Sequence, residues 1–214
     1  MYLNVLLEPH RFLECFSSAL TFIDQPNKYI LFNKEDQPLM YLEEVPTGVP
    51  YGYRSIDVIA KDPAGQKLFH ITRPSNICAQ CAFCCAYMKP CKYQGDVSLL
   101  DQNEKHLGHL TQKGSFKSAR LVVEDKDGDT IYEINGEGAC CTPTKDYKII
   151  NKKGDKVGEI EKQGIGLGTG SNRYEIKFPE DAQPNDKALI IGMAILIDYR
   201  FHFNATQPRR YRRR

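Results

Sequence analysis

The reactive side chains of this chain are concentrated in two groups of cysteines. One insert, CAQCAFCCAYMKPC, carries Cys78, Cys81, Cys84, Cys85 and Cys91, and a second segment carries the pair Cys140 and Cys141. Thiolates spaced as CxxC can hold two corners of a tetrahedral zinc ion, and Cys140 and Cys141 supply the remainder if the two segments meet in space. The same thiols can instead carry acyl chains, or stay as buried small hydrophobes. Disulfides fit less well. The start, MYLNVLLEPHRFLEC, has no basic region of a secretory leader, and Glu8 and Glu14 argue against a mitochondrial presequence. The protein is expected inside the cell, not secreted.

Other chemistry-bearing stretches are thinner. Asp125–Asp129, DKDGD, resembles a fragment of a calcium loop, but it lacks glycine at the sixth position and glutamate at the twelfth, so a hairpin turn explains its Asp-Gly step better. Gln163–Asn172, QGIGLGTGSN, has alternating glycines, but a phosphate cradle needs a following helix, and here a strand pattern follows. The histidines, His10, His70, His106, His109 and His202, are scattered, and no catalytic constellation stands out. The formal net charge of +2 is a property of the tail: Arg209, Arg210, Arg212, Arg213 and Arg214 surround Tyr211. Such a cluster attracts an anionic surface by about 1 kcal/mol per arginine. With no recognition helix or aromatic platform beside it, sequence-specific nucleic-acid binding is not expected.

The elements that must position these residues read as hairpins. Five times an alternating apolar run leads to a polar turn and a second run: Tyr29–Phe32 before NKEDQP, Ile56–Ala60 before KDPAGQ, Val97–Leu100 before DQNEK, Leu121–Val123 before EDKDGD, and Tyr147–Ile150 before NKKGDK. Arg173–Phe178 adds another strand. So many successive strands tend to close and remove their edges. From Ala188 to Ile197 ten residues pass without a polar side chain. A membrane span needs about 20 apolar residues, and Asp198 and Arg200 are costly at bilayer depth. A helix apolar all round has to be enclosed. The pattern therefore predicts a mainly β protein: a closed antiparallel β-barrel around a buried C-terminal hydrophobic helix over Lys187–Phe203. Residues 1–25, with Phe12, Phe16, Ala19, Leu20 and Ile23 at helical spacing, read as a helical or irregular lead-in. Residues 26–204 are the barrel domain and 205–214 the basic tail.

Two stretches carry a family resemblance. RYEIKFPEDAQPNDKALIIGMAILIDYRFHF resembles the C-terminal signature of phospholipid scramblases, and FLECFSSALTFIDQPNKYIL resembles their approach to the first barrel strand. The resemblance runs over roughly residues 12–204. It implies a Tubby-C-terminal-like fold, twelve strands around a central helix, and association with membranes. In several members it also implies calcium-activated bidirectional phospholipid movement. It carries palmitoylation onto Cys81, Cys84 and Cys85; two acyl chains hold a membrane durably where one does so marginally. The family's calcium segment falls on Gly170–Asp181. Asp181 keeps its acidic place, but Asn172 replaces an early acid and Arg173 adds positive charge, so weak or absent calcium binding is expected.

Two functions of different kinds follow. One is a membrane-associated scramblase-like protein that moves or binds phospholipid, at the cytoplasmic face of the plasma membrane or at a mitochondrial membrane. The other is a structural or scaffold subunit of a large membrane or cytoskeletal assembly, with protein partners, that keeps the fold without the activity. Lipid scrambling is not a covalent reaction, and the cofactor is calcium, zinc or none.

Overall fold

The computed structural model describes residues 2–8, 27–46, 55–73, 97–113, 118–137, 145–163 and 173–199. They form twelve strands and one helix: β1 (Tyr2–Glu8), β2 (Lys28–Phe32), β3 (Pro38–Glu44), β4 (Ile56–Lys61), β5 (Lys67–Arg73), β6 (Val97–Asp101), β7 (His106–Lys113), β8 (Ser118–Asp125), β9 (Thr130–Glu137), β10 (Asp146–Asn151), β11 (Lys156–Gln163), β12 (Arg173–Lys177) and α1 (Pro184–Ile197). From β2 to β12 each strand pairs antiparallel with the next, giving one continuous eleven-stranded sheet. β1 registers with both of its outer strands: Tyr2 opposite Lys177 on β12, and Glu8 opposite Lys28 on β2.

All five expected hairpins are present, and they share one turn. Its first residue is Asn33, Asp62, Asp101, Asp125 or Asn151. The backbone N–H of that residue donates to the carbonyl four residues on, and its own carbonyl accepts from the residue three on. The side-chain Oδ1 closes the loop. That of Asn151, for example, accepts from the backbone N–H of Lys153 and of Asp155, each at 2.9 Å. The fourth turn position is left-handed in every copy: Asp36 (φ 55°), Gly65 (82°), Glu104 (61°), Gly128 (86°) and Gly154 (91°). Each turn adds a one-residue register shift, the bulge that lets a type I turn match the twist of its strands.

This geometry carries a stability prediction. A side chain in the left-handed region costs about 1–2 kcal/mol, and a Cβ on Gly154 would touch nothing within 4 Å. Gly154→Ala is therefore expected to lose roughly 1–2 kcal/mol through the backbone alone. Asp36→Gly should gain up to about 1 kcal/mol, since asparagine and aspartate tolerate this conformation better than most. Thermal melts of both variants check the pair; equal melting temperatures would remove the strain argument.

Because the tight turns join each even-numbered strand from β2 to β10 to the strand after it, they all lie at one end of the sheet, the turn end. The starts of the even strands and the ends of the odd ones gather at the other, the loop end. The alternation seen in the sequence sends every second side chain inward. Leu31, Leu42, Val58, Leu99, Leu110 and Ile134 are fully buried in one core cluster with the residues of α1. Along α1, every residue from Ala188 to Ile197 is buried. A Cβ on Gly192 would sit 2.9 Å from Leu99 Cδ1 and 3.1 Å from Leu110 Cδ1, so the glycine lets the helix lie against β6 and β7 without displacing those side chains.

Two expectations need correction. Residues 2–8, assigned to a helical or irregular lead-in, form strand β1. Its partners lie at distant positions, Lys177 to Arg173 among them, so no local turn marked it. The amphipathic positions from Phe12 to Ile23 lie outside the described residues. The helix begins at Pro184, earlier than Lys187, because proline is favoured at the first helical position and Asp186 Oδ2 accepts the Gln183 backbone N–H at 3.2 Å. The regular helix stops at Ile197, with one wider turn at Asp198 and Tyr199, and residues 200–203 lie outside the described residues.

Candidate functional site at the loop end

The inward parity of several strands ends at the loop end in polar residues where apolar ones are the rule. β3 runs Leu42 then Glu44, β5 runs Ile71 then Arg73, β7 runs Leu110 then Gln112, and β11 runs Ile160 then Lys162; all eight are buried. β2, β10 and β12 contribute Tyr29, Tyr147 and Tyr174 at the same level, each 1% exposed or less. The helix brings Asp198, 2% exposed, beside Tyr29, Tyr147, Tyr174 and Lys162. The Tyr174 hydroxyl donates to Asp198 Oδ1 at 2.7 Å. Glu44 Oε2 accepts the Asn27 backbone N–H at 2.8 Å, tying the end of β3 to the start of β2.

The electrostatics follow from burial. Tyr174 is pushed well above the ordinary phenol range by desolvation, then by the Asp198 charge. Tyr147 is raised for the same two reasons. Tyr29 is raised most by burial, with Tyr199, Asp198 and Glu44 adding to it. Burial lowers Lys162, opposed by Asp198, and lowers Arg73, opposed by Tyr199. The three phenols are therefore neutral at physiological pH, not nucleophiles or bases. What the cluster does chemically is hold the carboxylate at the end of α1 by a charge-assisted hydrogen bond and opposite charge. It latches the helix inside the sheet.

The residues singled out by sequence do not converge here. Cys78, Cys81, Cys84, Cys85, Cys91, Cys140 and Cys141 lie outside the described residues, as do the tail arginines 209, 210 and 212–214. Arg73, Val97, Glu137 and Asp146, which flank the two cysteine segments, stand at the loop end. Asp181 is exposed in the bend after β12, its carbonyl accepting from Gln183 Nε2 at 3.2 Å. Asn172 lies outside the described residues, but its neighbour Arg173 opens β12 at the loop end. At about 3.3 Å per residue, the five-residue strand puts over 10 Å between Arg173 and Lys177, and Asp181 follows beyond Lys177. Glu175, on the outer face, accepts instead from Gln163 Nε2 at 3.3 Å. The Asp125 carboxylate of DKDGD closes its hairpin, accepting from Asp127 and Asp129 N–H at 3.0 and 2.9 Å. Among the described residues no group of three or more His, Cys, Asp or Glu side chains converges as a metal site. Glu44, Arg73 and Lys162 were missed by the sequence reading, although a signal existed: each is a charged residue at the inward parity of an alternating strand.

The family model of scramblases matches residues 6–204. Phospholipid scramblase 1 of Homo sapiens is 24% identical over 199 residues, covering 86% of this chain and 58% of that protein. Phospholipid scramblase 4 of Mus musculus is 24% identical over 205 residues, covering 91% of this chain and 60% of its own length. The chain thus spans about three fifths of these relatives. No solved structure matches. With nearly all of its length matched by the family model, the chain belongs to the scramblase family.

Proposed function

We propose that this protein is a phospholipid-engaging domain that works at a membrane surface with its helix inside the sheet. In this reading β1 closes the sheet into a barrel; its registers with both β2 and β12 support closure. The observation that carries the proposal is the enclosure of α1. Ten consecutive helical residues are buried and Asp198 is latched to Tyr174, so using the helix as an anchor means exposing the whole core. No helix among the described residues is long and apolar enough to cross a membrane. Attachment comes instead from acyl chains on Cys81, Cys84 and Cys85 and from the arginine tail acting together. Bidirectional lipid movement, if carried out by this domain, proceeds without calcium control, because the segment around Asn172 and Asp181 supplies few carboxylates.

Hydrogen exchange on the vesicle-bound, cell-derived protein tests the reading. The amides of Ala188–Ile197 should stay as protected on vesicles as in solution. Loss of their protection on binding would show that the helix leaves the sheet. In the same preparation, changing the three cysteines to serine should release the protein at high salt, where the tail is screened. Fluorescent-lipid exchange with and without calcium should give equal rates. Tight binding with no exchange favours the scaffold reading.

A further inference from the structure

Two of the five histidines meet on the outer face of the sheet, and a regular strand would keep them apart. His106 and His109 are three residues apart on β7. Side chains of a pleated strand alternate, so residues at that spacing point to opposite faces. The ladder shifts between them. Leu99 pairs with Gly108, but Leu100 pairs with His106, which leaves Leu107 as the extra residue of a β-bulge. Leu99 and Gly108 are buried and point inward. Leu100 and His106 therefore point outward, as do Ser98 and His109, which pair with each other. The bulge brings the two imidazole ring centres to 4.2 Å, with the planes tilted by 51°.

The ring nitrogens are differently engaged. Ser98 Oγ lies 3.3 Å from His109 Nδ1, which leaves His109 Nε2 as the other donor atom. His106 Nε2 is buried and has no hydrogen-bond partner among the described residues. A buried polar atom without a partner carries a desolvation cost that a ligand bound to it offsets. Burial, then the neighbouring His109, lowers the pKa of His106, so its ring is neutral at physiological pH. Negative charge is close by. Glu124 stands directly opposite His109 on β8, its carboxylate 3.6 Å from Lys113 Nζ. His106 also lines a cavity of about 340 Å³ at the turn end, where Asp101, Asp125 and Asp186 outnumber Lys105 and Lys126.

We propose that His106 and His109 bind a divalent transition-metal ion, copper(II) most tightly. Two imidazoles that hold one ion at about 2 Å, on neighbouring corners, have ring centres about 4–5 Å apart, the spacing found here. Imidazole nitrogen suits the late transition metals, and copper(II) heads their affinity order. The two Nε2 atoms are the donors. Water fills the other positions, since among the described residues no third such side chain converges. Ser98 is a positioning residue: by accepting the His109 Nδ1–H it fixes the tautomer that leaves Nε2 to the metal. Calcium and magnesium, which take oxygen ligands, are not held by this pair. The site lies apart from the latch and does not depend on how the protein attaches to a membrane.

Titrating the full, untagged chain with copper(II) tests it. Thiols compete for the ion, so they are first capped with iodoacetamide under conditions that leave the far-ultraviolet dichroism unchanged. Electron paramagnetic resonance should show one copper per chain with hyperfine coupling to two nitrogens. The proton resonances of His106, Leu107 and His109 should broaden before any others. His106→Phe and His109→Phe keep a ring in each place; either should remove one nitrogen from the spectrum and lose at least about tenfold in affinity. Ser98→Ala, which touches no metal, should also lose about tenfold, and rescue by Ser98→Thr separates positioning from a general loss of stability. His70→Gln, at a remote histidine, should bind like the parent. A parent spectrum with one nitrogen or none, broadening centred elsewhere, or a phenylalanine variant that binds like the parent would each overturn the proposal. Parent-like affinity in Ser98→Ala would overturn the role given to Ser98.

Discussion

Between pH 10 and 12 the domain is expected to lose its fold abruptly. Tyr29, Tyr147 and Tyr174 are almost wholly buried, and each has its pKa raised from the ordinary value of 10.0, chiefly by desolvation. In the unfolded chain the same phenols ionise at their ordinary value. Above it the unfolded state therefore holds fewer protons than the folded one, and stability falls as pH rises. The stabilisation is complete below the unfolded pKa and disappears on the way to the folded pKa. Each phenol contributes about 1.4 kcal/mol per pH unit, so three together remove about 4 kcal/mol per unit. Tyr132, pushed up to about 12 by burial and then by Asp186 and Asp181, acts in the same direction. Against a typical total of about 5–15 kcal/mol, this unfolds the domain within a few pH units. Tyrosinate absorbance and far-ultraviolet dichroism should change together in an alkaline titration. Phenols that ionise at their ordinary value while the dichroism stays native would show that the tyrosines are not enclosed.

Replacing Ile195 with aspartate should be as severe. Ile195 is 2% exposed, in the C-terminal part of the buried run of α1. The change removes a buried aliphatic group, worth about 2–5 kcal/mol when truncated, and places an unpaired carboxylate in the core at a further cost of several kcal/mol. The sum is comparable to the whole stability of a domain this size. Ile195→Val, which keeps the shape, should lose only about 0.5–1.5 kcal/mol. Urea unfolding of the conservative variant and solubility and dichroism of the charged one check the pair. An aspartate variant that remains folded in detergent-free buffer would remove the central-helix account.

Much of the fold was legible because it is local. A hairpin joins neighbours in sequence, so the alternation of Ile56, Val58 and Ala60, the polar turn and the alternation after it specify β4 and β5 without reference to the rest of the chain. The helix was legible for a different reason: ten apolar residues admit no exposed face, and Asp198 follows too soon for a span. β1 was not legible. Its pairing with β12 is set by contacts nearly the full chain length away, as Tyr2 opposite Lys177 shows.

Residue type and local spacing set the period and sign of each element: which side of a strand faces inward, where the polar turns fall, and that α1 must be enclosed. Those properties depend on backbone geometry and on side chains a few residues apart. What shares a neighbourhood is settled in three dimensions. Tyr29, Tyr147, Lys162 and Tyr174 come from four strands, and they meet Asp198 because the alternating strand directions bring their ends to one level. Asp101, Asp125 and Asp186 share a cavity at the other end by the same rule, whereas Asp181 and the start of β12 are held apart by the length of a strand. Sequence spacing carries no information about such distances, because they are set by strand order and register.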